Sequence, residues 1–374
     1  MKYIDGFRNP AVAAELVRRI AAQGRELASR GRVAHIMEVC GSHTMAIGRY
    51  GIRALLPGNV RLVSGPGCPV CVTDPGYIDA AVELAGRGAI IATFGDMVRV
   101  PGSSSSLAAC RAAGGDVRVC YSPSVAFDLA KAHPDREIVF LAVGFETTVA
   151  PLACLVDEAA RGGTDNLSLL TAFKLVPPAL GALLADPEVR IDAFLCPAHV
   201  SAIIGARAYE PFARGDTGVP CVIAGFEPLD ILEGIRGILA QLLAGEARVE
   251  NQYARVVRPD GNRSAQALMA RYLEPADAAW RGIGVIPSSG LALRGEYGAF
   301  DAERKFGVTV PPGHQHAGCR CGDVLKGKLL PTGCRLFGKA CTPDQPVGPC
   351  MVSAEGTCAA YYKYELPQAE QEQA

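Results

Sequence analysis

Between residues 10 and 245 the chain alternates short apolar runs with stretches of helical periodicity. Asn9-Pro10 supplies a cap and a first-turn proline, and Val12, Leu16 and Ile20 keep one apolar face until Gly31, which predicts a helix that packs on something formed later. Val33 to Val39 and Val60 to Val63 read as buried strands, a helical stretch covers 79–86, and Ala89 to Phe94 is a third buried run. Leu229 to Gly245 is a long amphipathic helix. From Gly307 the periodicity gives way to a segment rich in Gly, Pro and Cys, which cannot bury enough apolar surface to fold as an ordinary core. Something other than packing must hold it.

Two ordered series of landmarks recur within this alternation. Val100-Pro101, a helical segment, the strand Val117 to Cys120 and the strand Ile138 to Val143 lead into Gly144-Phe145-Glu146. Val176-Pro177, a helical segment, Ala193 to Cys196 and Val222 to Ala224 lead into Gly225-Phe226-Glu227. Val-Pro and the strand-ending cysteine recur at an offset of 76 and Gly-Phe-Glu at 81, which predicts a duplication. Strands alternating with helices imply right-handed crossovers and mainly parallel sheets. The expected fold class is therefore α/β: two related domains facing a cleft, plus a cysteine-rich C-terminal domain. The boundaries expected are 32–155 and 156–246 for the α/β domains, with 1–31 and 247–374 forming the third. Ligands in such folds sit at the carboxyl ends of strands.

Composition narrows the function classes. The 374 residues are 49% hydrophobic, ample for real cores, and the net charge of −1 comes from interspersed acids and bases. No basic stripe offers itself to a phosphate backbone, which argues against nucleic acid. The N-terminus lacks the apolar region of a secretory signal, and the nearest candidate membrane span, 138–156, is interrupted by Gly144, Glu146 and Pro151. A cytoplasmic location is expected. In that reducing compartment fourteen cysteines point to metal ligation or redox chemistry rather than to a disulfide framework.

The chemistry concentrates in a few loops. Ser64-Gly65-Pro66-Gly67-Cys68-Pro69-Val70-Cys71 is a stiff loop presenting Cys68 and Cys71 at C-x-x-C spacing, able to reach one metal ion or to close a small disulfide. The first strand delivers Cys40, Ser42 and His43, and the second delivers the C-x-x-C loop in the same manner, so both thiol groups are expected at one sheet edge. Glu146 and Glu227 stand at strand ends, where each can point a carboxylate into the cleft or simply favour the positive end of a following helix; Glu146, flanked by Thr147 and Thr148, is expected to be a functional residue, and Glu227 is left open between the two. His199, in Pro197-Ala198-His199, is a candidate ligand or a satisfied hydrogen-bonding residue. Cys110, Cys154 and Cys221 lie in apolar surroundings and are expected in the core. Cys319, Cys321, Cys334, Cys341, Cys350 and Cys358 put six thiols into forty residues, the signature of a zinc or iron–sulfur centre. The spacing Cys319-x14-Cys334-x6-Cys341-x16-Cys358 lacks the paired C-x-x-C knuckles of a zinc ribbon and leans towards a cluster, with Cys321 and Cys350 as spare thiols and Cys321 able to exchange with Cys319. His314 and His316 are expected in solvent.

Taken together, Glu38-Val39-Cys40-Gly41-Ser42-His43-Thr44, Gly65-Pro66-Gly67-Cys68-Pro69-Val70-Cys71, Gly144-Phe145-Glu146-Thr147-Thr148, Pro197-Ala198-His199 and the C-terminal cysteine spacing resemble the HypD family of nickel–iron hydrogenase maturation proteins. The resemblance runs from about residue 5 to residue 364. It implies a scaffold that works with HypC to assemble an iron bearing two cyanides and one carbonyl, with cyanide received from HypE and the hydrogenase large subunit served indirectly. It further implies a 4Fe-4S cluster on Cys319, Cys334, Cys341 and Cys358, with Cys40 as the iron-holding thiolate and Cys68 with Cys71 as a redox-active pair. The residue chemistry agrees, since soft thiolates suit an electron-rich low-spin iron. His43 can orient the thiolate, hydrogen-bond a cyanide nitrogen or supply protons. Two other classes compete: a thioredoxin-like thiol–disulfide oxidoreductase, disfavoured because Asp74-Pro75-Gly76 interrupts any helix opened by the C-x-x-C pair, and a zinc-stabilised binding module, which leaves Cys40 and His43 unexplained.

Overall fold

A computed structural model describes residues 5–215 and 218–366. The N-terminal helix α1 (Pro10–Ser29) starts where Asn9 caps it, its side chain accepting from the Ala11 amide at 3.0 Å. Strand β1 (Ala34–Glu38), helix α2 (Gly41–Arg49), strand β2 (Val60–Ser64), the single-turn α3 (Pro69–Val72), α4 (Pro75–Gly86) and β3 (Ile90–Thr93) follow. The next unit runs α5 (Leu107–Ala112), β4 (Val117–Val119), α6 (Ser124–Ala132), β5 (Ile138–Gly144), α7 (Glu146–Gly162), β6 (Leu167–Phe173) and α8 (Val176–Ala185). The chain then returns through β7 (Ala193–Pro197), α9 (Ala198–Ile204), β8 (Cys221–Ala224), α10 (Pro228–Ala244) and β9 (Val249–Asn251). Among these described residues no helix is long and apolar enough to cross a membrane.

The strands form two parallel sheets, one in the order β2-β1-β7-β8-β9 and the other β4-β3-β5-β6. The α/β class with mainly parallel sheets is thus as expected, but the strands group differently from the expected division at residue 155. β1 and β2 belong with β7–β9, and β3–β6 form the other sheet, so the chain leaves the first sheet, completes the second and returns. Both sheets share one topology, in which the first strand lies between the second and third. In that alignment β5 matches β7, whereas the offset of 76–81 pairs β5 with β8: the sequence landmarks recur one strand out of step with the architecture. Helix α1 also departs from the expected grouping. Its Leu16, Ile20 and Leu27 pack with Ile235, Ile238 and Leu242 of α10 on one face of the first sheet, rather than with the C-terminal region.

After β9 come α11 (Arg263–Tyr272) and the antiparallel hairpin β10 (Leu273–Trp280) and β11 (Gly284–Leu293), then α12 (Ala302–Phe306), α13 (Cys321–Leu325) and α14 (Thr357–Tyr364). A core between the sheets gathers Met37, Phe194, Tyr209 and Trp280 together with Cys68, Cys71, Cys196, Cys221, Cys321 and Cys350. The C-terminal region has only a small apolar cluster of its own, built on Phe337, Cys341, Met351 and Tyr361. Helix α14 lies on α2, where Arg53 bridges β1 to the residue that caps α14, pairing with Glu38 at 2.8 Å and Glu365 at 2.9 Å.

Candidate functional site

In open parallel sheets the crevice opens where successive connections run to opposite sides, here between β1 and β7. The loops leaving those strands carry Cys40-Gly41-Ser42-His43 and Pro197-Ala198-His199. Cys40 precedes α2 in extended backbone and is 8% exposed. Its neighbour Gly41 donates its amide to Gly67 O at 3.0 Å, and a Cβ on Gly67 would stand 2.4–2.6 Å from the backbone of Cys40. The Cys40 loop and the C-x-x-C loop are therefore pressed together, as their delivery by adjacent strands led one to expect. Burial pushes the Cys40 thiol up to about 12 and the Glu355 carboxylate adds to this, while the amides of His43 and Ser42 and the Ser42 hydroxyl oppose it.

Glu355, which the sequence reading passed over, comes from the cysteine-rich segment and accepts a hydrogen bond from Ser42 Oγ at 2.5 Å. His43 is fully buried; its Nε2 lies 3.1 Å from Ala224 O and 3.0 Å from Gly225 O. Carbonyls accept, so Nε2 carries the proton and Nδ1, buried without a partner, keeps its lone pair. Burial lowers the pKa of this ring to about 4. Its single proton is thus committed to backbone, and hydrogen bonding to a cyanide nitrogen is not open to the neutral ring in this arrangement. Phe226 stands between the two histidines, 4.8 Å from His43 and 4.2 Å from the exposed His199 ring. Burial lowers the His199 pKa, with Glu355 opposing.

The two candidate carboxylates at strand ends each have a partner outside the thiols. Glu146 is 1% exposed and its Oε1 accepts from the Val176 amide at 3.0 Å, at the start of α8, while Oε2 has no partner. Burial raises its pKa to about 7. It serves the N-terminus of the next helix as well as facing the core between the sheets. Glu227 precedes α10 and pairs with Arg8, Nη2 to Oε1 at 2.9 Å.

Cys68 is 3% exposed and Cys71 is fully buried. Cys68 caps the single turn of α3, its Sγ accepting from the Cys71 amide at 3.4 Å, and Asp74 then starts a separate helix. From here a succession of thiols crosses the core, packed in one cluster and each acting electrostatically on the next: Cys68 and Cys71, Cys71 and Cys350, Cys350 and Cys321, Cys321 and Cys319. Burial is the main force raising Cys71; for Cys321, contact with Cys319 lowers its pKa, but contact with Cys350 and burial outweigh this and leave it at about 12. Cys321 and Cys350, read from sequence as spare, are the links between the C-x-x-C turn and the C-terminal cysteines. No spacing rule reports this, because the contact joins residues far apart in the chain.

The file ends at a small cavity lined by Cys319, Cys321, Cys334, Cys341, Cys350 and Cys358 and walled by Leu336, Phe337, Val347 and Met351. Burial raises the Cys358 thiol, and Cys321, Cys319, Cys341 and Cys334 all add to that, which places the expected ligand set within electrostatic reach of one sulfur. A Cβ on Gly348 would fill the cradle, 2.7 Å from Cys319 Sγ. Among the described residues no three His, Cys, Asp or Glu side chains are gathered as around a single ion; the thiols are spread over the wall. A soft, apolar, all-thiol cavity of this kind fits an iron–sulfur cluster. His314 and His316 are exposed, as expected. Cys221 is buried against Cys196, whereas Cys110 is half-buried and Cys154 is exposed, outside the core where it was expected.

Comparison with known proteins agrees with the motifs. The HypD family model, described as "Hydrogenase formation hypA family", matches residues 12–365. The chain is 49% identical over 372 residues to "Hydrogenase maturation factor HypD" of Azotobacter vinelandii, covering 97% of each. It is 48% identical to the protein of that name from Cupriavidus necator, again over 97% of each, and 43% identical to that of Escherichia coli, over 99% of this chain and 100% of the other.

Proposed function

The chain belongs to the HypD family of hydrogenase maturation factors, and from that membership we propose that it is the redox scaffold on which, together with HypC, an iron bearing two cyanides and one carbonyl is assembled, cyanide being delivered from HypE. The iron is cargo, held by Cys40. Cys319, Cys334, Cys341 and Cys358 would hold a 4Fe-4S cluster, which when bound supplies electrons to the neighbouring thiols. The observation that carries this reading is the succession of thiols packed in one core cluster between the cysteine-lined cavity and the loop pressed against Cys40.

That file is built for exchange. A Cys68–Cys71 disulfide gains two electrons and two protons when Cys321 and Cys350 close on each other, with Cys350 as the thiol in contact with Cys71. For such a couple about 30 mV corresponds to about 1.4 kcal/mol, so small differences in environment set the direction. The contact of Cys321 with both Cys319 and Cys350 favours Cys319 as the cluster ligand. His43 stays neutral and holds β8's end against α2 through its Nε2 contacts to Ala224 and Gly225. A free-standing oxidoreductase for protein substrates fits poorly, because both thiols of the C-x-x-C pair are buried.

Iron, acid-labile sulfide and zinc content of anaerobically purified protein tests the reading. About four irons and four sulfides per chain, with visible absorption that bleaches on reduction, is the expected result; zinc without sulfide would overturn it. The Cys40→Ala variant is expected to retain that cluster and to lose iron-loaded HypC on copurification.

A further inference from the structure

The hairpin β10–β11 ends in Trp280-Arg281-Gly282-Ile283, and this tip is wedged into the thiol file. The Trp280 indole is 2% exposed and donates to Ser289 Oγ at 2.7 Å. The Arg281 amide donates to Val72 O at 2.8 Å, one residue beyond Cys71. Gly282, at φ +75°, lies backbone to backbone with Gly322: a Cβ on Gly282 would stand 2.3 Å from Gly322 Cα. The tip is therefore held on one side by the C-x-x-C turn and on the other by the helix that Cys321 opens.

Arg281 sits at the centre of this wedge, 3% exposed, with Nε and Nη1 buried and unpartnered. Among the described residues no Asp or Glu forms an ion pair with it. A guanidinium does not shed its proton on burial, and a buried charge without a partner is not left standing in a stable fold unless an opposite charge faces it. The contact of Gly282 with Gly322 sets it beside the start of the helix that Cys321 opens, and its charge acts on Cys319 and Cys321. As thiols they are neutral, and as ligands of a metal centre they are anions.

We propose that Arg281 is the counter-ion of the anionic, thiolate-bound iron–sulfur group in the C-terminal cavity, a cation built into the hairpin tip to balance negative charge that arrives with the cofactor. This rests on the cluster reading above. The bare chain is then charge-incomplete at this point, and the loaded chain is balanced. As a positioning residue beside the cavity, Arg281 favours the more negative, reduced state of the group bound there.

The test compares native protein with Arg281→Gln, Arg281→Met and Arg281→Lys, reconstituted anaerobically with ferrous iron and sulfide. Iron and sulfide content is read first: their absence from the native chain overturns the cluster reading itself. With clusters present, the reduced-to-oxidised ratio of R281Q at a fixed applied potential is expected to fall about tenfold, or about 59 mV for a one-electron couple, and R281K is expected to recover most of it. Unshifted potentials in R281Q, or R281K displaced as far as R281Q, would overturn the counter-ion alone. The unloaded chains supply a second readout, in which apo R281M is expected to unfold at a denaturant concentration equal to or above that of apo native protein. An R281M chain that is less stable unloaded, or fails to accumulate, would show that the fold and not the anion requires the guanidinium, and would overturn the proposal as well.

Discussion

Gly67 has no room for a side chain because the backbone of Cys40 occupies it, and this single approach sets the distance between the two thiol loops. Gly67→Ala brings a methyl against backbone that has no rotamer with which to yield. It is expected to destabilise the chain by roughly 2–3 kcal/mol, the cost of overpacking a tight site, and to shift Cys40 away from the C-x-x-C turn. Denaturant unfolding reads the first effect and the alkylation rate of Cys40 the second; a Gly67→Ala variant unchanged in both would mean that the loops are not in register as described. Glu146 yields a prediction of a different kind. Its pKa rises from 4.5 to about 7 through burial, so between those values the folded chain binds more protons than the unfolded one, and stability falls as pH rises through that window. The group costs nothing below about pH 4.5 and, by the linkage relation, about 3 kcal/mol above pH 7. Glu146→Gln keeps the acceptor for the Val176 amide and removes the titration. Its stability is expected to lose less than native protein does between pH 5 and pH 8, by roughly that amount, in parallel urea titrations.

At the scale of elements, the segments with plain periodicity or plain punctuation were legible. Asn9-Pro10 and Gly31 bracket α1, and the apolar runs before Cys40, Ser64 and Phe94 are β1, β2 and β3. β6, Leu-Ser-Leu-Leu-Thr-Ala-Phe, was not, because a short run rich in leucine between two helices reads as well in either period. Nor was the hairpin, whose strands carry Pro275 and several alanines and find their partners only in each other. The candidate site divides in the same way. Cys40, His43, Cys68 and Cys71 stand at strand ends that the pattern locates, while Glu355, Cys350 and Arg281 reach the site by tertiary contact from segments with no period to read. Cys350 carries the consequence, since it joins Cys71 to Cys321. Cys350→Ser keeps the size of the residue and breaks the exchange path. Iron and sulfide content is expected to stay at the native level, while dithionite treatment of the loaded protein restores free thiols at Cys68 and Cys71 more than roughly tenfold more slowly, a barrier change of about 1.4 kcal/mol or more. Quenched alkylation with mass spectrometry measures it, and native rates in the variant would remove Cys350 from the path.

Across the whole molecule, the parts differ in what holds them. Each parallel sheet closes on an apolar core of its own, Ile90, Ile138, Phe140 and Leu169 in one and Ile36, Leu195, Val222 and Ile235 in the other. The cysteine-rich segment has four buried residues in its cluster and therefore leans on its contacts with α2 and, in the proposed reading, on a bound metal centre. Those contacts are specific: Glu355 to Ser42, Arg53 between Glu38 and Glu365, and Tyr364 against Gly48. They touch both ends of the helix that begins beside Cys40, which would couple the state of the C-terminal cavity to the loop proposed to hold iron. Removing the metal anaerobically with a chelator is expected to raise amide hydrogen exchange over 319–358 by opening a region whose binding energy is largely its folding energy. The increase should extend into α2, which loses its anchors, and leave β3–β6 at native protection. Exchange confined to 319–358 would uncouple the two sites, and uniform loss of protection would mean that the metal centre holds the entire chain. The expected pattern, with α2 loosened and the second sheet unaffected, makes occupancy of the C-terminal cavity a condition for placing Cys40, so that an unloaded scaffold would be unable to take up its iron.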